Sequence, residues 1–196
     1  MHTTDCYGGV TLGAFADRRL VGYSYAVPGF DGARPFLLSC GLAVAKAYGS
    51  RGVGEALKRA QAQRARRSGY DRIRWTTNSL ASQALNLYLS KLGARLVGYR
   101  EAMYAGLRED LFCDEVEIEW DLRRGAAAGV RPFTAASRTV EIPWDRAALA
   151  RRSPQLAREW VAAARTAMRE LLAAGYVGTA VIADRRTERS SVRFDR

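Results

Sequence analysis

Hydrophobic and polar positions in the first part of the chain follow the alternating pattern of β-strands. Residues 9–15 and 20–27 form two such runs, and the polar residues 17–19 between them predict a hairpin turn. Residues 28–32 (Pro-Gly-Phe-Asp-Gly) are expected to break the chain. Residues 35–44 form a long apolar run with little alternation, which favours a strand buried on both faces.

Two segments with the helical spacing of apolar residues come next. The turn at 49–54 (Gly-Ser-Arg-Gly-Val-Gly) opens directly into the first, and Gly69 is its expected C-cap. A strand at 71–76 precedes a second helix, predicted from Asn78 or Ser79 to about Leu92. The residues expected on the solvent face of the first helix are Lys58, Arg59, Arg64, Arg66 and Arg67. Strands are predicted at 94–105 and 116–122.

A Gly- and Ala-rich stretch separates these elements from a smaller pattern. Residues 123–137 have the composition of a linker, and 138–196 predict a strand, a short helix, a long helix at 154–174 and a closing hairpin. The element order predicts an α/β chain of the α+β type. Residues 1–122 would form a core with a mixed central sheet flanked by helices, and 138–196 a smaller C-terminal α/β module.

Composition and charge narrow the class of protein. Hydrophobic residues make up 48% and charged residues 26%, as in ordinary globular proteins. We find no apolar stretch of the roughly 18 residues a membrane span needs, and no secretory signal, so we expect a cytoplasmic protein without a membrane partner. The net charge of +11 attracts anions. The basic runs lack interleaved aromatic residues, so nucleic acid is not the expected partner.

Cysteine and histidine usage excludes several chemistries. Cys6, Cys40 and Cys113 are odd in number and far apart, which predicts reduced thiols rather than a disulfide framework. His2 is the sole histidine, so no internal Ser-His-Asp triad or His-Glu-x-x-His zinc site can form. We expect no metal site. The chemistry would use tyrosine, cysteine, serine, carboxylates, backbone amides or water.

The glycine-rich turn carries the clearest chemical signal. Glycines at 49, 52 and 54 allow tight backbone geometry and expose N–H groups at a helix N-terminus, where the helix dipole favours a pyrophosphate. Arg51 can add an ionic contact. The turn lacks the Gly-Lys-Ser/Thr of a P-loop and the glycine spacing of a dinucleotide fingerprint. A tight connection without a ligand is the alternative.

Two motifs resemble those of the GNAT superfamily of acyl-CoA-dependent N-acyltransferases. The segment GSRGVG is similar to the pyrophosphate-loop pattern Arg/Gln-x-x-Gly-x-Gly/Ala, and LYLSKLGA at 87–94 is similar to the later LYxKxGF. The segments WTTNSL, DEVEIEWDL and VEIPWD also resemble an uncharacterised branch of predicted acetyltransferases in this superfamily. The resemblance implies a GNAT-like fold in residues 1–122 and acetyl-CoA or another acyl-CoA as co-substrate.

The resemblance also implies roles for particular residues. The backbone groups that would pair with the pantetheine arm belong to Leu42, Ala43 and Val44. The amides that would hold the pyrophosphate belong to Gly49, Ser50, Arg51, Gly52, Val53 and Gly54. Tyr88 would protonate the departing thiolate, because a phenol with a pKa of about 10 is comparable in basicity to such a thiolate. A core role for Tyr88, with its hydroxyl satisfied, is the alternative.

The implied reaction is transfer of an acetyl or other acyl group from coenzyme A to a small-molecule or peptide amine by direct attack. A base for an ammonium acceptor could be Glu101 or a water chain, and the sequence does not choose. Gly49 and Ala81 depart from the superfamily pattern, which prefers Arg or Gln at the first place and often has Asn at the second. Cys40 stands where the resembled branch usually has a histidine. Cys40 as a covalent nucleophile is a further alternative, although a buried strand cysteine is usually inert.

The elements that normally shape the acceptor site, a first strand and two helices, are not seen ahead of residue 9. This keeps a second function open, a non-catalytic acyl-CoA-binding or protein-interaction module with a degenerate GNAT fold. The C-terminal module is expected to pack on the core or on a partner subunit, as in a homodimer.

Overall fold

The computed structural model describes residues 2–103, 114–124, 132–184 and 186–196. It shows a mixed α/β fold with mostly antiparallel strands flanked by helices. The chain divides into two compact units, residues 1–75 with 119–125 and residues 76–118 with 126–196. Cys113, much of the predicted linker and the end of the strand predicted to reach residue 105 lie outside the described residues. The division into a core, a linker and a C-terminal module stays a prediction.

The first unit begins with a short helix and a three-stranded antiparallel meander. Its elements are α1 (His2–Cys6), β1 (Val10–Ala16), β2 (Arg19–Asp31) and β3 (Arg34–Val44). Asp17 and Arg18 connect β1 to β2 with φ angles of 47° and 67°. Two successive positive φ angles match the twist of a tight hairpin, so the predicted hairpin is confirmed.

The expected chain break at residues 28–32 is wrong, because β2 continues to Asp31. The pairing of β2 with β1 stops at Ala26, and Pro28 pairs with Leu37 of β3. The N–H that Pro28 lacks therefore interrupts no ladder between β2 and β1. The chain turns instead at Gly32, whose φ is 57°.

The expectation that residues 35–44 are buried on both faces is also wrong. Leu37 and Ser39 are buried, whereas Leu38 and Cys40 on the opposite face of β3 are exposed. The exposed face carries apolar side chains as well, which is why the sequence of this strand shows little alternation.

Helix α2 (Val53–Arg67) packs on the three strands of the meander. Its buried residues are Leu57, Lys58, Gln61, Ala62 and Ala65. Gly69 follows the helix with a φ of 82°, as expected for the predicted C-cap region. The chain then enters β4 (Arg72–Asn78), which is parallel to β3. With β6 (Glu115–Asp121), the strand order in this unit is β1-β2-β3-β4-β6.

The second unit contains the later elements. They are α3 (Ser82–Leu85), a π-helical segment (Asn86–Lys91), β5 (Arg95–Arg100), β7 (Arg138–Pro143), α4 (Arg146–Arg152), α5 (Pro154–Ala173), β8 (Val177–Asp184) and β9 (Arg189–Asp195). Its strand order is β6-β5-β8-β9-β7. The single helix predicted to about Leu92 is therefore wrong in form, since only one α-helical turn precedes the wider π-helical segment.

Helix α5 confirms the long helix of the C-terminal pattern. Ser153 caps it by accepting a hydrogen bond from the Leu156 N–H, and Pro154 occupies its first turn. Its buried residues are Ala157, Val161, Ala164 and Met168. Leu156, which the periodicity places inward, is 42% exposed. None of the described helices combines the length and apolar character of a membrane span.

Candidate functional site

The glycine-rich turn adopts the tight geometry that its sequence indicates. A 3₁₀ turn at Lys46–Tyr48 follows β3, and the Gly49 N–H donates a hydrogen bond to the Lys46 carbonyl oxygen at 3.1 Å. Ser50 has a φ of 58° and Gly52 a φ of 84°. Gly52 is the N-cap of α2, and glycine adopts this left-handed conformation without steric cost.

The N-terminus of α2 presents backbone donors beside this turn. The Ala56 N–H donates the helix's first hydrogen bond to the Gly52 carbonyl oxygen at 2.9 Å. The N–H groups of Val53 and Gly54 therefore precede the helical hydrogen-bond pattern, at the positive end of the helix dipole. A Cβ built on Gly52 has no other atom within 4 Å, so the turn borders open space. This geometry suits an anionic group such as a diphosphate.

Arg51 lies in the middle of the turn and is exposed. Its guanidinium carbon is 5.7 Å from the centre of the Tyr48 ring. This cation–π contact holds the charge beside the backbone donors of the turn. Arg51 is thus placed to add an ionic contact to the same anion.

The strand ahead of the turn supplies a second element of the site. Leu42, Ala43 and Val44 pair with β2, opposite Ser24, Tyr23 and Gly22. On its other side, β3 pairs with β4 only at Leu37–Ile73 and Leu38–Arg74. Residues 42–44 therefore lie beyond the end of that ladder, where their backbone can pair with an extended ligand.

A buried polar cluster lies on the α2 side of these strands. The Lys58 Nζ donates hydrogen bonds to Ser39 Oγ at 2.8 Å and to Gln61 Oε1 at 3.4 Å. Gln61 Nε2 in turn donates to Ser24 Oγ at 3.3 Å. Burial lowers the pKa of Lys58 to about 7, and the nearby Cys40 thiol acts in the opposite direction.

The expectation that Lys58 lies on the solvent face of the helix is wrong, since it is only 1% exposed. The signal that could have placed it is its spacing. Lys58 is four residues before Ala62 and seven before Ala65, on the same stripe of α2. Most lysine side chains are exposed to solvent, which is why the sequence predicts exposure for Lys58.

Cys40 does not have the surroundings of an activated nucleophile. Burial raises the pKa of its thiol, while the Val27 backbone and Lys58 oppose that effect. Its Sγ donates to the Leu38 carbonyl oxygen at 3.4 Å. Since the thiolate is the reactive form, a raised pKa makes Cys40 a poor nucleophile at neutral pH.

Tyr88 lies in the π-helical segment of the second unit and is 7% exposed. Burial, with a contribution from Glu115, raises the pKa of its phenol to about 12. The hydroxyl therefore keeps its proton at neutral pH and can only act as a proton donor there. Single π-helical turns within helices are frequent at functional sites.

Glu101, a candidate base, and Ala81, a departure from the superfamily pattern, both lie in the second unit. Glu101 forms ion pairs with Arg165 at 2.6 Å and with Arg169 at 2.9 Å. Ala81 is the N-cap of α3, and no side-chain hydrogen bond caps this helix. Within the described ranges, no group of three or more His, Cys, Asp or Glu side chains could hold a metal ion.

Part of the chain is similar to a known protein family. Residues 2–94 match the acetyltransferase (GNAT) family. The matched segment contains the 42–44 edge, the turn at 49–54 and Tyr88. No curated protein matches the chain.

Solved structures show the same fold. An IAA acetyltransferase from Bacillus cereus is 19% identical, with a TM-score of 0.52 over 61% of this chain and 83% of that one. A GNAT-family acetyltransferase from Streptococcus pneumoniae is 22% identical, with a TM-score of 0.54 over 61% and 71%. A third, from Elizabethkingia anophelis with acetyl-CoA bound, is 19% identical, with a TM-score of 0.50 over 61% and 82%. The expected GNAT-like fold is confirmed.

Proposed function

We propose that the chain transfers an acetyl or other acyl group from coenzyme A to a small-molecule or peptide amine, because residues 2–94 match the acetyltransferase (GNAT) family. The observation that supports this most is that two elements suited to ligand binding follow one another directly along the chain in the first unit. The strand edge at 42–44 leads through one 3₁₀ turn, closed by the Gly49 N–H, into the backbone donors of 50–54.

The first unit fits the two chemically distinct parts of acyl-CoA. The pantetheine arm is an extended chain with two amide groups, which can pair with the backbone of Leu42, Ala43 and Val44. The diphosphate would sit against the N–H groups of 50–54 and the Arg51 guanidinium, because the Gly49 N–H already donates to the Lys46 carbonyl oxygen. These contacts hold the thioester in place, so that attack by an amine becomes effectively intramolecular.

In the proposed reaction a neutral amine attacks the thioester carbonyl carbon. A strand amide at Val44 or a neighbour would donate a hydrogen bond to the carbonyl oxygen, which gains negative charge. The carbon–sulfur bond then breaks, and Tyr88 would give its proton to the departing thiolate. Burial keeps the Tyr88 phenol protonated at neutral pH, so the proton to be donated is present before the carbon–sulfur bond breaks. The nitrogen that attacked loses its extra proton to water, and the Tyr88 phenolate takes a proton back from water.

The proposal includes the cellular compartment and the assembly state of the protein. Cys6 and Cys40 are free thiols in the structure, which agrees with a reducing compartment, and we place the enzyme in the cytoplasm. Assembly as a homodimer stays a prediction.

Binding and turnover test the proposal separately. Calorimetric titration with acetyl-CoA would give saturable binding, and release of free CoA thiol would follow addition of a suitable amine from a panel. Binding without turnover over a broad panel would instead support a non-catalytic acyl-CoA-binding module. Absence of binding by acetyl-CoA, longer acyl-CoAs and CoA itself would contradict both functions.

A further inference from the structure

Lys58 lies at the point where β3 and β4 stop pairing. The last pair of their ladder is Leu38–Arg74, so the next residue on β3 is Ser39 and the next on β4 is Trp75. Lys58 Nζ is 2.8 Å from Ser39 Oγ and 3.7 Å from the centre of the Trp75 ring. The Lys58 amine therefore contacts both Ser39 and Trp75, the first residues of β3 and β4 after their pairing ends.

The same position coincides with an irregularity of β3. Ser39 pairs with Ala26 of β2 and Gly41 pairs with Tyr25, so Cys40 is an extra residue that forms a β-bulge. Bulges bend a strand and increase its twist. The hydrogen bond from Lys58 thus holds β3 immediately before the bend that leads to residues 42–44.

Such an arrangement costs stability, which argues against a role in packing alone. Ser39, Gln61 and Trp75 are all buried around the Lys58 amine. Burying an amine is unfavourable even when it is hydrogen-bonded, because it gives up its hydration or its proton, and an apolar side chain of similar length would pack at lower cost. This cost falls where the parallel strands β3 and β4 stop pairing.

We propose that Lys58 is a positioning residue that keeps β3 apart from β4 and so leaves the edge at 42–44 open for the pantetheine arm of acyl-CoA. This inference rests on the proposed function. The Lys58 side chain reaches from α2 to both strands. Its amine donates to Ser39 and Gln61 and lies over the face of the Trp75 ring.

The test compares Lys58→Met with a matched variant of the next residue, Arg59→Met. Methionine keeps the length of the lysine side chain but cannot donate to Ser39. For Lys58→Met we expect the Kd and KM for acetyl-CoA to rise about tenfold, which corresponds to about 1.4 kcal/mol. We expect kcat and the KM for the amine to stay unchanged. The melting temperature should stay unchanged or rise. Arg59 is paired with Glu55 on the exposed surface, and its replacement should leave all of these unchanged.

A second variant guards against misfolding of the first. Ser39→Ala removes the acceptor on β3 and leaves Lys58 in contact with Trp75 and Gln61. It should raise the Kd for acetyl-CoA in the same direction as Lys58→Met. An unchanged Kd in a folded Lys58→Met protein would overturn the inference, as would a Kd and a melting temperature that worsen together.

Hydrogen exchange separates this inference from the proposed function. In the protein without ligand, Lys58→Met should slow exchange of the amides at 39–44, because β3 can then pair further along β4. If the wild-type chain fails to bind acetyl-CoA, the proposed function falls, and exchange alone decides whether Lys58 holds the strands apart. Exchange that is equal in the two proteins would overturn the separating role.

Discussion

Arg165 of α5 donates a hydrogen bond from its Nε to Asp114 Oδ2 at 2.8 Å, and the Asp114 side chain is 3% exposed. The Tyr99 hydroxyl and the Ala102 N–H donate to the same carboxylate, at 2.7 Å and 2.9 Å. Burial alone would raise the pKa of Asp114, but these hydrogen bonds, that of Arg165 foremost, hold it below its usual range. A helix of the C-terminal segment is thereby joined to the residue that precedes β6.

Arg165→Met should lower the free energy of unfolding by about 2 kcal/mol, because hydrogen bonds to charged groups each contribute roughly 1.5–3 kcal/mol. Chemical denaturation at pH 7 measures the change. Arg169→Met is the matched control on the same helix, since among the described residues Arg169 pairs with the exposed Glu101 alone and its loss should cost much less. Equal losses in the two variants would contradict a special role for Asp114.

Lys58 should make stability depend on pH in the neutral to alkaline range. Its pKa is about 7 in the folded protein and about 10.4 in an unfolded chain. Between these values the unfolded state binds one more proton, so the free energy of unfolding rises with pH by up to about 1.4 kcal/mol per unit. Lys58→Met should remove this slope and be the more stable protein at pH 7.

Denaturation of both proteins between about pH 7.5 and pH 9 tests this prediction. The range stays below the titration of unfolded tyrosines, which begins near about pH 10. The difference in unfolding free energy between Lys58→Met and the wild type should shrink as the pH rises. A difference that is constant with pH would show that Lys58 is charged in the folded state.

Gly52→Ala should weaken acyl-CoA binding as well as stability. The φ of Gly52 is 84°, in open space, so the stability cost is backbone strain of about 1–2 kcal/mol rather than a clash. Gly32→Ala is a matched control, because Gly32 also has a positive φ and open space around its Cβ position but lies in the β2–β3 turn. Both variants should lose similar stability, and only Gly52→Ala should bind acetyl-CoA more weakly.

Tyr88→Phe should lower kcat by about a hundredfold or more, the usual contribution of a positioned general acid. The Kd for acetyl-CoA should stay within about twofold. Tyr70→Phe, which removes a hydroxyl that donates to the Gly8 carbonyl oxygen, controls for loss of a partly buried phenol. A Tyr88→Phe protein that keeps the wild-type kcat would remove this residue from the mechanism.

Local signals in the sequence were sufficient for several elements. The 17–19 turn, the glycine turn at 49–54 and the Ser153–Pro154 helix start each depend on a few neighbouring residues. Turn chemistry and helix caps are local, so the structure agrees with these predictions.

Features that depend on packing could not be predicted. The partners of Lys58 lie on strands distant in sequence, and the continuation of β2 through Pro28 depends on where β1 begins. The π-helical form of 86–91 was hidden because its apolar spacing resembles that of an α-helix. In the candidate site, motifs located the turn and Tyr88, but the end of the β3–β4 ladder is visible only in the structure.

We propose that backbone N–H groups at 50–54, with Arg51, bind a diphosphate beside the strand edge at 42–44. Calorimetric titration with acetyl-CoA and with acetyl-pantetheine, which carries the same thioester but no diphosphate, tests it most directly. We expect saturable binding of acetyl-CoA and much weaker binding of acetyl-pantetheine. Arg51→Ala should reduce the affinity for acetyl-CoA and leave that for acetyl-pantetheine unchanged. Equal affinity for the two ligands, or no binding of either, would contradict it.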